Sequence, residues 1–191
     1  MKRRTWFTLV EIVVALIIFG IGLLTLLRAI VYYVATWDEA KQKAEAILLA
    51  KEAMDIVYNQ RDTNLRRSVR RDCARIDATK PEACALKFEV GKAYRTEFNG
   101  YTGYIIVPTT WWATENQLYK HTVNNTALYT HQTTTYPSPY KRYVEFSPAS
   151  FGTWLSTDHA LKMTVYVNYI RGSATRKVIL ESMLSAWEKD R

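Results

Sequence analysis

Residues 7–34 read FTLVEIVVALIIFGIGLLTLLRAIVYYV, and this stretch decides the fold. Sixteen consecutive residues from Ile12 to Leu27 carry no formal charge, and Arg28 is the one charge between them and Val34. A helix needs about 20 predominantly apolar residues to cross the hydrocarbon core of a bilayer. Its backbone polar groups must be paired within the segment, because no water is available there. The stretch from Phe7 to Val34 therefore predicts a transmembrane helix.

The residues before this helix predict its orientation. Lys2, Arg3 and Arg4 precede the apolar run, and positive residues beside a span favour the cytoplasmic side. A cleaved secretory signal also starts with basic residues, but its apolar core is usually only about 7–15 residues long and ends at a small-residue cleavage site. The run here is longer, and residues 23–30 contain no convincing site of that kind. We expect a single pass through the cytoplasmic (inner) membrane, with the C-terminal part outside the cytoplasm.

The helix is expected to continue beyond the membrane. After Trp37 the apolar residues become periodic among Lys, Glu and Gln, and no Pro or Gly interrupts the sequence from Leu23 to Tyr58. Ala, Leu, Lys and Glu are all strong helix formers. The sequence thus predicts one long helix over 7–58, with a transmembrane half followed by an amphipathic half.

Glu11 is an acidic residue within the apolar segment. A carboxylate in hydrocarbon is costly and usually marks function. A second interpretation places Glu11 at the membrane interface, where its carboxylate reaches water. The residues alone leave both interpretations open.

The N-terminal third of the chain resembles the type IV pilin and pseudopilin family. The resemblance lies in residues 2–11 (KRRTWFTLVE) followed directly by the apolar helix. Residues 15–24 (ALIIFGIGLL) and 50–64 (AKEAMDIVYNQRDTN) are similar to PilV-type minor pilins and general-secretion pseudopilins. The resemblance implies an α+β, pilin-like fold in which the long helix packs on a C-terminal antiparallel β-sheet domain.

The resemblance also implies how the N-terminus matures and assembles. Residues 1–6 would be a basic prepilin-type leader, cut by a prepilin peptidase between Trp6 and Phe7, and the new amino group of Phe7 would be methylated. Glu11 would then be the fifth residue, where the family's glutamate offsets the N-terminal amine of a neighbouring subunit and sets its register. Further implied partners are other pilin or pseudopilin subunits, an inner-membrane assembly platform and membrane lipid.

Trp6 departs from the family, which has Gly immediately before the cut. Three explanations are open: the protein stays an uncut anchor, its peptidase accepts Trp, or a codon that the organism reads as Gly is written as Trp. The last explanation agrees with the glycine content, since 7 glycines in 191 residues are about half of the average share.

Residues 59–84 are polar and rich in Arg, and we expect them to form a connector. Cys73 and Cys84 lie in it without a nearby His to complete a metal site. A disulfide between them is the simplest expectation if this region is exported, whereas a reducing compartment would leave two thiols. The arginines are interleaved with acidic residues and lack an aromatic base-stacking platform, which favours a solvated, ion-paired face over DNA contact.

Residues 85–191 predict an exported β-rich domain. Short β-prone runs cover Leu86–Val90, Tyr101–Val107 and Tyr140–Phe146. Alternating apolar residues in Leu161–Ile170 and again from Val178, separated by a turn, predict an antiparallel hairpin. The stretch Thr109–Ser138 shows little regular period and is expected to contain long loops. Its aromatic residues suit internal packing or contact with sugars or partner proteins; they include Trp111, Trp112, Tyr119, Tyr129 and Tyr136.

The sequence favours a structural subunit of a pilus or secretion-like filament over an enzyme. His121, His131 and His159 are isolated, and no zinc motif, nucleophile elbow or phosphate-binding loop is present. We therefore predict no catalytic residue, cofactor or metal. The net charge of +8 suits anionic lipid, polysaccharide or nucleic acid equally well. The alternatives are a membrane-anchored exoplasmic enzyme and a DNA- or glycan-binding module outside any filament.

Overall fold

The computed structural model describes most of the chain, and the residues form two compact units, one up to Lys43 and one from Ala44 onward. The described residues are 8–66, 73–76, 80, 84–99, 103–110, 113–123, 126–132, 136–149 and 160–185.

The first unit contains the beginning of one long helix, α1, which extends over Leu9–Arg66. The helix passes through the predicted apolar segment without a break. It also continues past residue 58, where the sequence placed the start of the connector. Residues up to Lys43 belong to the first unit, and the helix from Ala44 to Arg66 belongs to the second.

The second unit contains two antiparallel sheets. A two-stranded sheet pairs β1 with β2, and a seven-stranded sheet contains the other described strands. The strands are β1 Cys73–Ile76, β2 Cys84–Lys87, β3 Ala93–Asn99, β4 Gly103–Thr109, β5 Gln117–Val123, β6 Thr126–Thr130, β7 Pro137–Pro148, β8 Ala160–Arg171 and β9 Ala174–Ser185.

Strand β7 organises the larger sheet. Along one side it pairs with β8, which in turn pairs with β9. Along the other side its first half pairs with β5 and its second half with β3, so that the sheet forks into a β5–β6 arm and a β3–β4 arm. A short 3-10 helix, Thr114–Asn116, precedes β5.

The core lies between the C-terminal part of α1 and one face of this sheet. Small and branched residues of the helix, including Ala46, Ala50, Ala53 and Val57, are buried there. The sheet contributes residues at every second position, as a two-residue period requires: Tyr140, Val144 and Phe146 from β7, Met163, Val165, Val167 and Tyr169 from β8, and Val178 and Leu184 from β9. The α+β architecture predicted from the sequence, a long helix packed on an antiparallel sheet, is thus confirmed.

Two expectations about the strands need correction. The stretch Thr109–Ser138 was expected to contain long loops, but it holds β5 and β6, which pair from Tyr119 with Thr130 to Val123 with Thr126. These strands form the end of one arm of the sheet. They lack a continuous apolar run, but they are rich in Thr and Tyr, which favour β-strands. The strand expected over Leu86–Val90 lies earlier, at Cys84–Lys87.

Candidate functional site

The first candidate site is the surface of α1 in the first unit. Its large apolar side chains are exposed, from Leu9 at 79% and Phe19 at 69% to Tyr32 at 75% and Trp37 at 63%. Among the described residues, α1 is the one helix that is long and apolar enough to cross a membrane, and none of its most apolar window is buried. An exposed apolar surface of this extent requires cover by lipid or by protein.

The two threonine hydroxyls within this surface are satisfied inside the helix. Thr25 donates to the carbonyl of Ile21 at 2.8 Å, and Thr36 donates to the carbonyl of Tyr32 at 2.9 Å. This back-bonding to the preceding turn removes the need for an outside partner. The two threonines are therefore compatible with an apolar environment.

Glu11 lies in the first turn of α1 and is exposed. Its backbone N–H donates to the Thr8 carbonyl at 3.0 Å and to Thr8 Oγ1 at 3.3 Å, so Thr8 caps the helix. The order Thr, two residues, Glu is that of a capping box, and an acidic group near the positive end of a helix is stabilising. Glu11 thus lies where its negative charge favours the start of the helix. Trp6 and Phe7, the predicted cleavage and methylation residues, lie outside the described residues.

In the second unit a buried cation joins the helix to the sheet. Arg142 of β7 is 2% exposed, and its Nη1 donates to Glu52 Oε2 at 2.9 Å and to the Leu49 carbonyl at 3.0 Å. Its Nη2 donates to the Thr96 carbonyl of β3 at 3.3 Å. Burial lowers the pKa of Arg142, while the charge of Glu52 opposes that change. A buried charge is tolerated when it is paired and hydrogen-bonded in this way.

Tyrosine hydroxyls make similar links on either side of Arg142. Tyr140 donates to Glu45 Oε2 at 2.7 Å, and Tyr129 approaches the same oxygen at 3.5 Å. Burial, and then the adjacent Glu45 carboxylate, raise the pKa of Tyr140 above its ordinary value. Further along the helix, the Tyr58 hydroxyl bonds to Ser182 and donates to the Met183 carbonyl at 3.1 Å.

The predicted disulfide between Cys73 and Cys84 is present, with their Cα atoms 5.6 Å apart. It joins β1 to β2, and Cys73 is fully buried. Asn64, also fully buried, donates from Nδ2 to the Cys73 carbonyl at 2.7 Å. The last turns of α1 are thereby attached to the disulfide-linked hairpin.

The helix is therefore hydrogen-bonded to the sheets at intervals of about two turns. The linking residues on α1 are Glu45, Glu52, Tyr58 and Asn64. These contacts are not predicted by any pattern in the sequence. The available indication was Arg142, a charged residue in the inward-facing series of Tyr140, Val144 and Phe146.

His131 is 6% exposed, and its hydrogen-bond partners are backbone carbonyls. Its Nδ1 lies 3.1 Å from the Glu115 carbonyl and 3.2 Å from the Gln117 carbonyl, and because carbonyls only accept, Nδ1 carries the proton. Burial and the nearby Arg142 lower the pKa of His131 to about 3. No group of three or more His, Cys, Asp and Glu side chains suited to a metal ion occurs within the described ranges.

The remaining candidates are dispersed. Arg61 pairs with Asp62 at 2.8 Å and lies over the Tyr58 ring, whereas Arg67, Arg70 and Arg71 lie outside the described residues. Tyr129 packs edge-on against Tyr140 with ring centroids 5.8 Å apart, whereas Tyr136 is exposed. His121 is exposed, and His159, Trp111 and Trp112 lie outside the described residues.

Comparison of the chain with protein-family models, with characterised proteins and with solved structures found no match.

Proposed function

We propose that this chain is a structural subunit, a minor pilin or pseudopilin, of a type IV pilus or a type II secretion-like filament. The observation that carries the proposal is the continuous apolar surface of α1 from Leu9 to Trp37, which no other described part of the chain buries. Lipid covers such a surface while the subunit is in the inner membrane. Equivalent helices of neighbouring subunits cover it after assembly.

The proposed sequence of events is insertion, leader removal and transfer. Lys2, Arg3 and Arg4 hold the N-terminus on the cytoplasmic side. A prepilin peptidase removes residues 1–6, and the assembly platform then moves the helix from the bilayer into a helical bundle. The Glu11 carboxylate pairs with the N-terminal amine of an adjacent subunit and sets the register of the two helices.

Export of the second unit is supported by its disulfide. Disulfides form and persist in oxidising compartments and are rare in the cytosol. The Cys73–Cys84 bond agrees with a location outside the cytoplasm, which is also the side that the basic N-terminal residues favour. Within the second unit, polar links hold the C-terminal part of α1 against the sheet.

The test separates the assembly role of Glu11 from its role in helix initiation. Glu11→Ala and Glu11→Gln remove the negative charge, whereas Thr8→Ala removes the capping hydroxyl and keeps the carboxylate. We expect both Glu11 variants to enter purified surface filaments poorly and Thr8→Ala to enter them nearly as well as the wild type. Membrane levels of each variant, measured by immunoblot, control for expression.

Normal incorporation of Glu11→Ala contradicts the role assigned to the carboxylate. Equal loss in Thr8→Ala and Glu11→Gln shows that helix initiation is what assembly requires. Mass spectrometry of the mature N-terminus in the same filaments determines whether methylated Phe7 is the first residue. Mass spectrometry of the uncut precursor, purified from membranes, identifies residue 6.

A further inference from the structure

The outer edge of the large sheet is a long strand without a described neighbour. Strand β9, Ala174–Ser185, is 12 residues long and pairs with β8 on one side. Within the residues that the structure describes, no strand pairs with its other side. Strands are usually about 5–6 residues long, and natural proteins generally shorten, cover or charge the edges of their sheets. An open edge of this length is suited to accept another strand.

The hairpin turn determines which backbone groups face this edge. Gly172 and Ser173 form a two-residue loop between paired Arg171 and Ala174, and Gly172 has the positive φ of 57° that such turns use. The residues flanking a two-residue loop exchange hydrogen bonds, and hydrogen-bonded pairs alternate along the ladder. Counting from Ala174, the backbone groups of Lys177, Ile179 and Glu181 therefore face away from β8.

An independent contact supports this assignment of the outward-facing backbone groups. Met183 belongs to the same alternating series, so its carbonyl also faces away from β8. That carbonyl accepts a hydrogen bond from the Tyr58 hydroxyl at 3.1 Å. The helix thus closes the last part of the edge, and within the described residues no strand pairs with the outer side of the segment from Lys177 to Glu181.

The side chains of this open segment lie on the sheet face opposite α1. Val178 and Leu184 are buried in the core, so the alternating positions Lys177, Ile179 and Glu181 lie on the other face. Ile179 is 49% exposed and sits opposite Tyr166 of β8. The ring of Tyr166 stacks on that of Tyr143 at 4.9 Å. An aromatic row therefore reaches the sheet edge and ends in an exposed isoleucine.

We propose that β9 pairs with β9 of a second copy of this chain, antiparallel and with a two-fold axis through Ile179. In this register Lys177 lies opposite Glu181 of the second copy, and Glu181 lies opposite its Lys177. Each pair exchanges two backbone hydrogen bonds and places opposite charges across the ladder, which is stabilising. The two Ile179 side chains meet on the axis, so the interface is isologous and closes as a dimer.

The charges select this register over its neighbours. A two-fold axis through Lys177 or through Glu181 would place like charges opposite each other, which is destabilising. The two side chains are already held over the outer face, since Lys177 lies over the Tyr166 ring at 4.0 Å and Glu181 pairs with Lys162 at 2.7 Å. The partner is a second copy of this chain because β9 itself carries both Lys177 and Glu181, so two copies of the strand complement each other. The proposal does not depend on filament assembly.

The first test is a cross-link on the proposed axis. The full chain with Ile179→Cys is purified in detergent micelles with the native disulfide intact and oxidised mildly. Hydrogen-bonded partners have Cα atoms about 5.5 Å apart, within the range that a disulfide spans. Ile170→Cys is the matched control, because Ile170 is also an exposed isoleucine of this face but belongs to β8.

We expect Ile179→Cys to give at least about tenfold more disulfide-linked dimer than Ile170→Cys, since only the former holds both thiols in bonding geometry. Peptide mapping should show residue 179 joined to residue 179. Equal yields from the two variants overturn the proposal, because they would reflect dimers made elsewhere, for example by the apolar helices. A link from residue 179 to another protein or to another strand also overturns it.

The second test is a charge exchange in the Ile179→Cys background. Lys177→Glu or Glu181→Lys alone puts like charges opposite each other and should lower the dimer yield. The double variant restores opposite charges across the axis and should recover it. Near-ultraviolet circular dichroism of each variant verifies the native fold. Single variants that leave the yield unchanged, or a folded double variant that does not recover it, overturn the proposed register.

Discussion

The guanidinium of Arg142 and the carboxylate of Glu52 form an ion pair of 2.9 Å between a buried and a half-exposed side chain. Arg142 also donates to the carbonyls of Leu49 and Thr96. One cation on β7 is therefore bonded to α1 and to β3. Because Arg142 is buried and Glu52 is half-exposed, we expect their substitutions to differ in effect.

Replacement of Arg142 by Ala should destabilise the second unit strongly. The change removes a fully buried side chain, leaves a cavity and withdraws the donors from two carbonyls. We expect the free energy of unfolding to fall by about 3 kcal/mol. Urea unfolding of the full chain in detergent micelles, followed by near-ultraviolet circular dichroism, measures the effect.

Glu52→Gln is the matched variant, and it should be much milder. The amide oxygen still accepts from Arg142, and residue 52 itself is half-exposed, so the expected loss is about 1 kcal/mol. A larger loss for Glu52→Gln than for Arg142→Ala would mean that charge neutralisation, and not packing and hydrogen bonding, dominates at this site.

His131 should make the second unit sensitive to acid. Its pKa is lowered to about 3 by burial and by Arg142, whereas an unfolded histidine titrates near pH 6.5. Its contribution to stability is complete above pH 6.5 and is lost as the pH falls from 6.5 towards 3, because the unfolded chain binds the proton first. Between pH 7 and pH 5 we expect a loss on the order of 1–2 kcal/mol, measured by urea unfolding at each pH.

His131→Asn tests the assignment of this pH dependence. The asparagine amide can donate to the carbonyls of Glu115 and Gln117, as Nδ1 does, but it does not titrate. The variant should have a flatter stability profile between pH 7 and pH 5. An unchanged slope would assign the acid sensitivity to other groups.

The disulfide should contribute measurably to the stability of the second unit. Cys73 and Cys84 are 11 residues apart, and closing a loop of that size is worth about 3 kcal/mol in a chain-entropy model. Reduction should therefore lower the urea midpoint of the wild-type protein. The Cys73→Ser, Cys84→Ser double variant should show the lower midpoint with or without reductant. A reductant effect that persists in the double variant would have another origin.

The sequence predicts those elements in which the spacing of apolar residues is regular within one helix or strand. The apolar run of α1 and the alternation in β8 and β9 are patterns within one element, and the turn at Gly172 joins two such patterns. The sequence therefore predicts the long helix, the final hairpin and the α+β class. Strands β3, β5 and β6 contain fewer apolar residues. Strands β3 and β5 pair with β7, which comes later in the sequence, and β6 pairs with β5.

The polar links could not be derived in the same way. Glu52 and Arg142 are 90 residues apart, and Glu45 and Tyr140 are 95 apart. Each looks like an ordinary surface residue until the sheet and helix are placed together. The capping relation between Thr8 and Glu11, in contrast, is three residues long and could be read directly from the sequence.

The apolar surface of α1 predicts that position along the helix, and not exposure alone, decides membrane insertion. Leu24 and Leu48 are exposed leucines of the same helix, at 62% and 65%, but Leu24 lies in the apolar stretch and Leu48 in the second unit. A Lys near the centre of a spanning helix opposes insertion by about 2.5–3.5 kcal/mol. We expect Leu24→Lys to release much of the protein from membranes on alkaline extraction, whereas Leu48→Lys should remain integrated. Equal retention of the two variants would contradict a membrane-spanning segment at Leu24, because lysine there would then have no apolar environment to disrupt.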